Sequence, residues 1–180
     1  MASEPSPGRK VLHAFNVGQV KRWHVVGHTV RPQDVAQHSY GVAVIITLLH
    51  PDPSAALLKA ALTHDWGELV AGDLPRWVKE RNPDVAQQLE ILEEGNRQKF
   101  GVEYTALLSK EEIGWLRGAD LLDAWLFALQ NVIMQNHYMH GSLNKATRAM
   151  RDLVKAGDVP IELAIAMEQM LSAYPWVKTW

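Results

Sequence analysis

The chain can be organised around one hexapeptide, Thr63-His64-Asp65-Trp66-Gly67-Glu68. Its adjacent imidazole and carboxylate are both good ligands for a divalent metal ion of borderline hardness. Asp65 and Glu68 are three residues apart, so on a helix they would share one face, where one could hold an ion while the other moves a proton. A His-Asp pair arises readily by chance in a chain with 8 histidines, so the interpretation depends on the residues around it.

The composition is typical of a single globular domain. The 180 residues are 47% hydrophobic and 21% charged, with a formal net charge of -2, so we expect a substantial core and no binding to duplex nucleic acid. There is no cysteine, so any metal site must use His, Asp and Glu. No signal peptide and no apolar run of about 20 residues are visible. We therefore expect a soluble cytoplasmic protein without membrane association, in which residues 1–9 form a disordered tail and residues 10–180 form one domain.

Hydrophobic periodicity predicts an all-α fold. Apolar residues recur three or four apart along the chain, and no convincing period-2 strand is present. Two capping-box patterns, Asp34 with Gln37 and Ser109 with Glu112, mark helix starts. The predicted helices cover approximately 10–23, 34–49, 54–65, 83–100, 109–135, 143–156 and 160–174. Short connections between most of them favour a compact bundle of about seven helices around one core.

Residues on different predicted helices form a candidate metal site. His38 lies early in the second helix, and His64 and Asp65 end the third. Asp120 lies within a strongly apolar helix, where it needs a partner because burying a lone carboxylate costs several kcal/mol. Each residue also has an ordinary alternative, as a core histidine, a solvated helix end or an ion-paired helix residue. Asp123, three residues further on, could share the face of Asp120 or turn to solvent.

The order His…His-Asp…Asp on an all-α chain resembles the HD-domain metal-dependent phosphohydrolases. Their 5′-deoxynucleotidase branch usually shows Asn-Val-Ala-Glu-His-Ser where this chain has Asp34-Val35-Ala36-Gln37-His38-Ser39. It also shows His-Asp-x-x-Glu followed by Gly-Asp, as at 64–68 and 72–73 here. Within this branch the chain is similar to the bacteriophage dATP triphosphohydrolases, which share an Arg-Trp-x-aliphatic stretch, here 22–25, and a lysine eleven residues after the motif glutamate, here Lys79. The resemblance covers about residues 21–123.

The resemblance implies a role for each motif residue. The implied ligands of a divalent ion (Zn²⁺, Co²⁺ or Mn²⁺) are His38, His64, Asp65 and Asp120. Glu68 would be the acid/base that handles the proton of the attacking water, and Asp73 would position water, ligand or sugar. The implied substrate-binding residues are Arg22, Trp23, Val25, Arg76 and Lys79. The cations would contact phosphate, while Trp23 and Val25 would line the nucleoside pocket, unless Trp23 only anchors a helix end in the core.

The resemblance implies hydrolysis of deoxynucleotides, in first place of dATP to deoxyadenosine and triphosphate. One alternative is a 5′-deoxynucleotidase that hydrolyses dNMPs with the same ligands. Another is a non-catalytic helical nucleotide-binding module, which the presence of Glu68 disfavours. Two departures from the family pattern bear on the site: Gln37 replaces the usual Glu, and Trp77 stands where a shorter residue is usual. Seven tryptophans and the multimeric state of the relatives favour a homo-oligomer, in the cytoplasm of the host cell if the protein is phage-encoded.

Overall fold

The structure is a computed structural model that describes residues 5–23, 32–74, 76–102 and 107–179. In these ranges the α-helices are α1 (Pro7–Val17), α2 (Val35–Leu49), α3 (Ala55–Thr63), α4 (Arg76–Arg81), α5 (Pro83–Lys99), α6 (Lys110–Ile133), α7 (His140–Ala156) and α8 (Ile161–Ser172). Short 3₁₀ helices cover His64–Leu69 and His137–Met139. Two-residue strands β1 (Lys21–Arg22) and β2 (Gln33–Asp34) pair antiparallel. The all-α prediction is confirmed.

Capping residues set the starts of the two helices that carry most of the site. The Asp34 carboxylate accepts a hydrogen bond from the Gln37 backbone, and the Ser109 hydroxyl accepts one from the Glu112 backbone. Both capping boxes are complete, so N–H groups that lack a partner within the first helical turn are satisfied. Both helices therefore begin where the sequence predicted. Among the described residues, the helices lack the combination of length and apolar composition that a membrane span needs.

The first predicted helix differs from the structure at both ends. It starts three residues earlier than predicted and already ends at Val17, because the carbonyl groups of Gly18 and Val20 accept hydrogen bonds from the first N–H groups of α2. The chain then enters β1, where Arg22 lies opposite Gln33. A two-residue strand is too short for an alternating pattern to be recognised, so the prediction of helix at this point was wrong.

The segment around the hexapeptide also differs from prediction. α3 ends at Thr63, and the following residues wind as a 3₁₀ helix rather than continuing the α-helix. This 3₁₀ helix lies against α5 so closely that a Cβ on Gly67 would be 2.6 Å from the Cβ of Glu93. The stretch after it, between the predicted helices 54–65 and 83–100, contains the short helix α4.

α6 is the central helix of the core. It packs against α2, α3, α7 and α8. Its most deeply buried apolar residues, none more than 1% exposed, are Ala119, Leu122, Trp125 and Ala128. The Trp125 indole N–H donates to the Thr147 hydroxyl at 2.8 Å, so the polar atom of this buried ring is satisfied. Burying a large apolar side chain stabilises the fold by about 1.5–3 kcal/mol, so α6 provides a firm base for the carboxylates that it directs toward α2.

Candidate active site

His38 of α2 and His64 at the end of α3 face each other. Their Nε2 atoms are 3.2 Å apart. The Nδ1 of His38 lies 2.6 Å from Asp123 Oδ2, and the Nδ1 of His64 lies 2.9 Å from the Ala61 carbonyl oxygen. Because each acceptor requires the hydrogen to be on Nδ1, the neutral form of each ring presents its Nε2 lone pair to the other. Two lone pairs that face each other repel, and a proton or a metal ion between them removes this repulsion.

Two carboxylates complete the cluster. Asp65 places one oxygen 3.3 Å from His64 Nε2 and the other 3.5 Å from His38 Nε2. Asp120 Oδ1 lies 3.1 Å from His38 Nε2, and its side chain is 45% exposed, so Asp120 forms the solvent side of the cluster. Candidate ligand atoms of His38, His64 and Asp65 all lie within 4.8 Å of one another. The structure thus brings together the residues that the sequence grouped as metal ligands.

The electrostatics of the cluster favour a positive charge at its centre. Burial and the charge of Arg22 lower the pKa of His38, but its hydrogen bonds with Asp120 and Asp123 outweigh them and raise the pKa to about 9. Desolvation raises the pKa of Asp120, yet the hydrogen bond from His38 holds it well below its usual value. A divalent ion satisfies the same demand for positive charge and accepts nitrogen and oxygen ligands. The residues present therefore fit a divalent metal ion.

Glu68 lies one turn after Asp65. A 3₁₀ helix has three residues per turn, so these two side chains lie nearly in line on one face. Glu68 is 6% exposed, and its Oε2 has no hydrogen-bond partner among the described residues. Burial, followed by the negative charges of Asp65 and Asp73, raises the pKa of Glu68 to about 9. A carboxyl group in this environment can accept or donate a proton near neutral pH once its surroundings change.

Arg22 links the cluster to Asp73. Its Nη1 lies 2.6 Å from Asp65 Oδ2, and its Nε lies 4.0 Å from Asp73 Oδ2. Burial lowers the pKa of Arg22, but the charges of Asp65 and Asp73 outweigh it, so the guanidinium stays charged. The β1–β2 ladder brings this residue to a carboxylate 43 positions away.

Trp23 is held against the core on one side. Its ring stacks on Phe127, with centroids 5.2 Å apart and planes 18° apart. The indole N–H donates to Gln33 Oε1 at 2.9 Å. Trp23 has φ +59°, a conformation that costs a bulky residue about 1–3 kcal/mol and is often found at functional sites. One side of the Trp23 ring therefore packs on the core, as the alternative interpretation of this residue expected.

The remaining predicted substrate-binding residues are Lys79, Arg76 and Val25. Lys79 Nζ lies 3.5 Å from the buried carboxylate of Glu93 on α5. Val25 lies outside the described residues, as do the side chains of Arg76 and Trp77, although these two belong to α4. Gln37 is exposed and its side chain accepts a hydrogen bond from the Asp34 backbone. Its role here is helix capping, so the departure at this position does not touch the ligand cluster.

Sequence reasoning left Asp123 open and missed Arg97. The Asp123 side chain is only 12% exposed and binds His38. The sequence signal that could have identified Asp123 is its position as a second carboxylate in the apolar run of α6. Arg97 is buried, pairs with Glu94 at 2.9 Å and places Nη1 3.5 Å from the His64 carbonyl oxygen. It supports the hexapeptide from α5, whose polar sequence gave no sign of this.

The chain matches a known protein family over most of its length. Residues 12–174 match the family described as YfbR-like 5′-deoxynucleotidases. The chain belongs to this family. It is 27% identical over 150 residues to a 5′-deoxynucleotidase of Vibrio atlanticus, covering 69% of this chain and 75% of the relative. It is 26% identical over 147 residues to a 5′-deoxynucleotidase of Yersinia pestis, covering 69% and 74%.

Solved structures agree with the YfbR-like fold. A cyanophage S-2L HD phosphohydrolase (DatZ), bound to dA and one catalytic Zn²⁺ ion, aligns with a TM-score of 0.65 and 22% identity over 90% of this chain and 96% of that one. A protein from Pyrococcus horikoshii aligns with a TM-score of 0.66 and 23% identity over 94% and 99%. At this identity the likeness establishes the fold. Family and fold together confirm the HD-domain resemblance and the class of metal-dependent deoxynucleotide phosphohydrolases.

Proposed function

We propose that the protein is a 5′-deoxynucleotidase that hydrolyses dNMPs to deoxynucleoside and orthophosphate. The observation that carries the proposal is the cluster of two imidazoles and two carboxylates with the buried Glu68 beside it, in a chain that belongs to the YfbR-like 5′-deoxynucleotidases. This choice replaces the sequence-based preference for dATP. Of the cations expected to contact phosphate, Arg22 and Lys79 are paired with Asp65 and Glu93, which leaves them less positive charge for two further phosphates.

In this mechanism the metal would be held by His38, His64, Asp65 and Asp120. When bound, a divalent ion polarises a phosphoryl oxygen and lowers the pKa of water, so that a nucleophile forms near neutral pH. The hydrogen bonds of His38 to Asp123 and of His64 to the Ala61 carbonyl keep both rings oriented toward the cluster.

Proton transfer and charge neutralisation would fall to Glu68 and Arg22. Water oxygen attacks phosphorus, the bond from phosphorus to the 5′ oxygen breaks, and the 5′ oxygen leaves with a proton. Glu68 accepts the proton of the attacking water or supplies the one that the leaving oxygen takes. Arg22 offsets negative charge on the transferring phosphoryl group, and Asp73, on the other side of its guanidinium, orients Arg22 or the sugar.

A dATP triphosphohydrolase is the second candidate, because α4 carries several basic residues close in sequence to the site. They are Arg76, Lys79 and Arg81. The DatZ structure contains dA, which keeps an adenine deoxynucleotide among the substrates to be tested.

A product assay separates the two candidates. Protein loaded with Zn²⁺, Co²⁺ or Mn²⁺ is incubated with dAMP, dATP and the ribonucleotide control AMP, and phosphate products are resolved. We expect orthophosphate from dAMP at a higher kcat/KM than any product from dATP, and little from AMP. Triphosphate as the dominant product would replace the nucleotidase proposal by the second candidate. Asp65→Ala protein controls for contaminating phosphatases.

We also propose that the protein is a homo-oligomer. Apolar side chains of α1 that are at least 60% exposed in the single chain support this, namely Val11, Leu12 and Phe15, because an exposed apolar patch of this kind is typical of an interaction surface. Light scattering, which measures the molar mass in solution, tests the proposal on wild type and on Phe15→Glu. A monomeric wild type would contradict the proposal.

A further inference from the structure

Asp123 is a buried carboxylate that the reaction outlined above does not use directly. Its Oδ2 lies 2.6 Å from His38 Nδ1 and 2.8 Å from Gln33 Nε2. One oxygen thus accepts two hydrogen bonds inside the protein, from residues 85 and 90 positions away. A buried carboxylate with two donors on one oxygen is held in a single orientation.

The donors around Asp123 determine which nitrogen of His38 faces the cluster. Since the Asp123 oxygen accepts a hydrogen from Nδ1, the lone pair of neutral His38 is on Nε2. That atom lies 3.2 Å from His64 Nε2 and 3.1 Å from Asp120 Oδ1. A carboxylate behind the ring also makes the imidazole a more basic ligand.

Gln33 is itself held by Trp23. The indole N–H donates to Gln33 Oε1 at 2.9 Å, so the amide directs its NH₂ group toward Asp123. Gln33 also lies opposite Arg22 in the β1–β2 ladder. The same two-residue ladder therefore sets the positions of Arg22 at the cluster and of the amide behind Asp123.

α2 has a glycine at the point where the Asp123 carboxylate approaches it. Gly41 lies three residues after His38 on the same helix, and a Cβ there would overlap Asp123 Oδ1. A side chain at position 41 would push the carboxylate away from His38. Glycine at this point thus allows the Asp123 carboxylate to reach His38.

From this arrangement we infer that Asp123 is the positioning residue of His38, oriented by Gln33 and admitted by Gly41, and that it raises metal affinity without touching substrate. The inference rests on the proposed role of His38 as a metal ligand. It assigns to Asp123, Gln33 and Gly41 a role in metal binding in addition to packing.

Metal binding measured without nucleotide tests the inference. Metal-free wild type, Asp123→Asn and Asp123→Ala are titrated with Co²⁺ and followed by visible absorbance, with Zn²⁺ competition. We expect the affinity to fall about 10–100-fold. The loss should be larger for Ala, which removes both orientation and charge, than for the isosteric Asn, which removes only charge. Asp152→Asn on the exposed face of α7 should bind metal like wild type.

Two further variants separate positioning from a purely structural effect. Gly41→Ala keeps every charge and displaces the Asp123 carboxylate, so its metal affinity should fall in the same direction, while Gly141→Ala, with no atom within 4 Å of the added carbon, should leave it unchanged. At saturating metal the Asp123→Asn enzyme should regain kcat with an unaltered KM. Wild-type metal affinity in both Asp123 variants would overturn the inference, as would a loss of kcat that saturating metal does not restore.

The outcome is independent of the proposed reaction. If wild type binds no metal, both the proposed function and the inference about Asp123 fail. If wild type and the Asp123 variants bind metal equally well, only the inference about Asp123 fails. Should Asp123→Ala not fold, the isosteric Asn variant and Gly41→Ala decide the question.

Discussion

At the scale of single residues, Asp65 and Glu68 are three positions apart in sequence but lie in different electrostatic environments. Asp65 faces two histidines and the guanidinium of Arg22, and their positive charges hold its pKa below the usual value despite burial. Glu68 is buried, its Oε2 has no hydrogen-bond partner among the described residues, and burial with the negative charges of Asp65 and Asp73 outweighs the effect of Arg22 and raises its pKa. Two carboxyl groups whose pKa values are pushed apart are suited to different tasks, one as a ligand and the other as a proton carrier.

Replacing Glu68 by Gln should separate these tasks. The amide keeps the size of the side chain but cannot exchange a proton, so we expect kcat to fall by about 10²–10⁴ while bound metal per chain stays at the wild-type level. Single-turnover kinetics and metal analysis on the same preparation measure both. Loss of the metal in this variant would make Glu68 a ligand instead.

The same variant should change how stability depends on pH in the metal-free protein. The pKa of Glu68 is raised from 4.5 to about 9 on folding, so the folded state holds a proton that the unfolded state releases above pH 4.5. Its contribution is fully present below that pH and is lost as the pH rises toward 9. We expect urea unfolding in EDTA to show a steeper decline for wild type than for Glu68→Gln over this window. Parallel curves would argue against the raised pKa.

The grouping of His38, His64, Asp65 and Asp120 could be predicted at this scale, whereas the contact of Asp123 with His38 could not. His64 and Asp65 are adjacent, and His38 and Asp120 matched a family pattern. Asp123 was ambiguous because its position relative to α2 depends on how the two helices cross, which no local pattern reports.

At the scale of elements, the 3₁₀ helix is held in place by α5. Asn96 donates to the Trp66 carbonyl at 3.3 Å, and Arg97 lies 3.5 Å from the His64 carbonyl. In addition, Gly67 lies against the backbone of Glu93, where an added Cβ would be 2.7 Å from the Glu93 carbonyl oxygen. The close contact leaves no room for a side chain, and backbone atoms cannot move aside as a flexible side chain can.

Gly67→Ala should therefore destabilise the protein by about 1–3 kcal/mol, the range for overpacking a tight contact, and should weaken metal binding because the ligands move with the 3₁₀ helix. Gly95→Ala on α5 is the matched control, since nothing lies within 4 Å of its added carbon. It should stabilise the helix by about 0.5–1 kcal/mol. Urea unfolding of the three proteins gives both values. A neutral Gly67→Ala would mean that the two elements are not in close contact.

Long elements could be predicted from sequence, but short ones could not. α2 and α6 have sustained apolar periodicity and complete capping boxes at their first turns, so local preference and packing agree. The β1–β2 ladder and the 3₁₀ helix are stabilised by contacts with α2 and α5, which overrode the helical pattern of the sequence around Arg22 and Asp65.

At the scale of the whole molecule, the site lies where α2, α3 and α6 meet, with β1 beside it. The carboxylate oxygens and imidazole nitrogens gathered there favour the binding of a divalent cation. A metal that binds only the folded state therefore stabilises the entire domain.

We expect metal addition to chelated wild type to raise Tm. At a metal concentration one hundred times Kd the gain is about 2.7 kcal/mol, which corresponds to roughly 5–10 °C for a chain of this length. Asp65→Ala should show little or no gain under the same conditions. Differential scanning calorimetry with and without EDTA makes the comparison. An equal gain in Asp65→Ala would place the stabilising ion elsewhere.

The sequence separations within the cluster bear on how the protein is made. His38 contacts His64 26 positions away and Asp123 85 positions away. No stretch of chain that stops before α6 contains the complete set of proposed ligands together with Asp123. During synthesis on the ribosome, a chain that has emerged only through α5 can therefore hold metal at most weakly, and tight loading must wait until α6 has emerged and packed against α2.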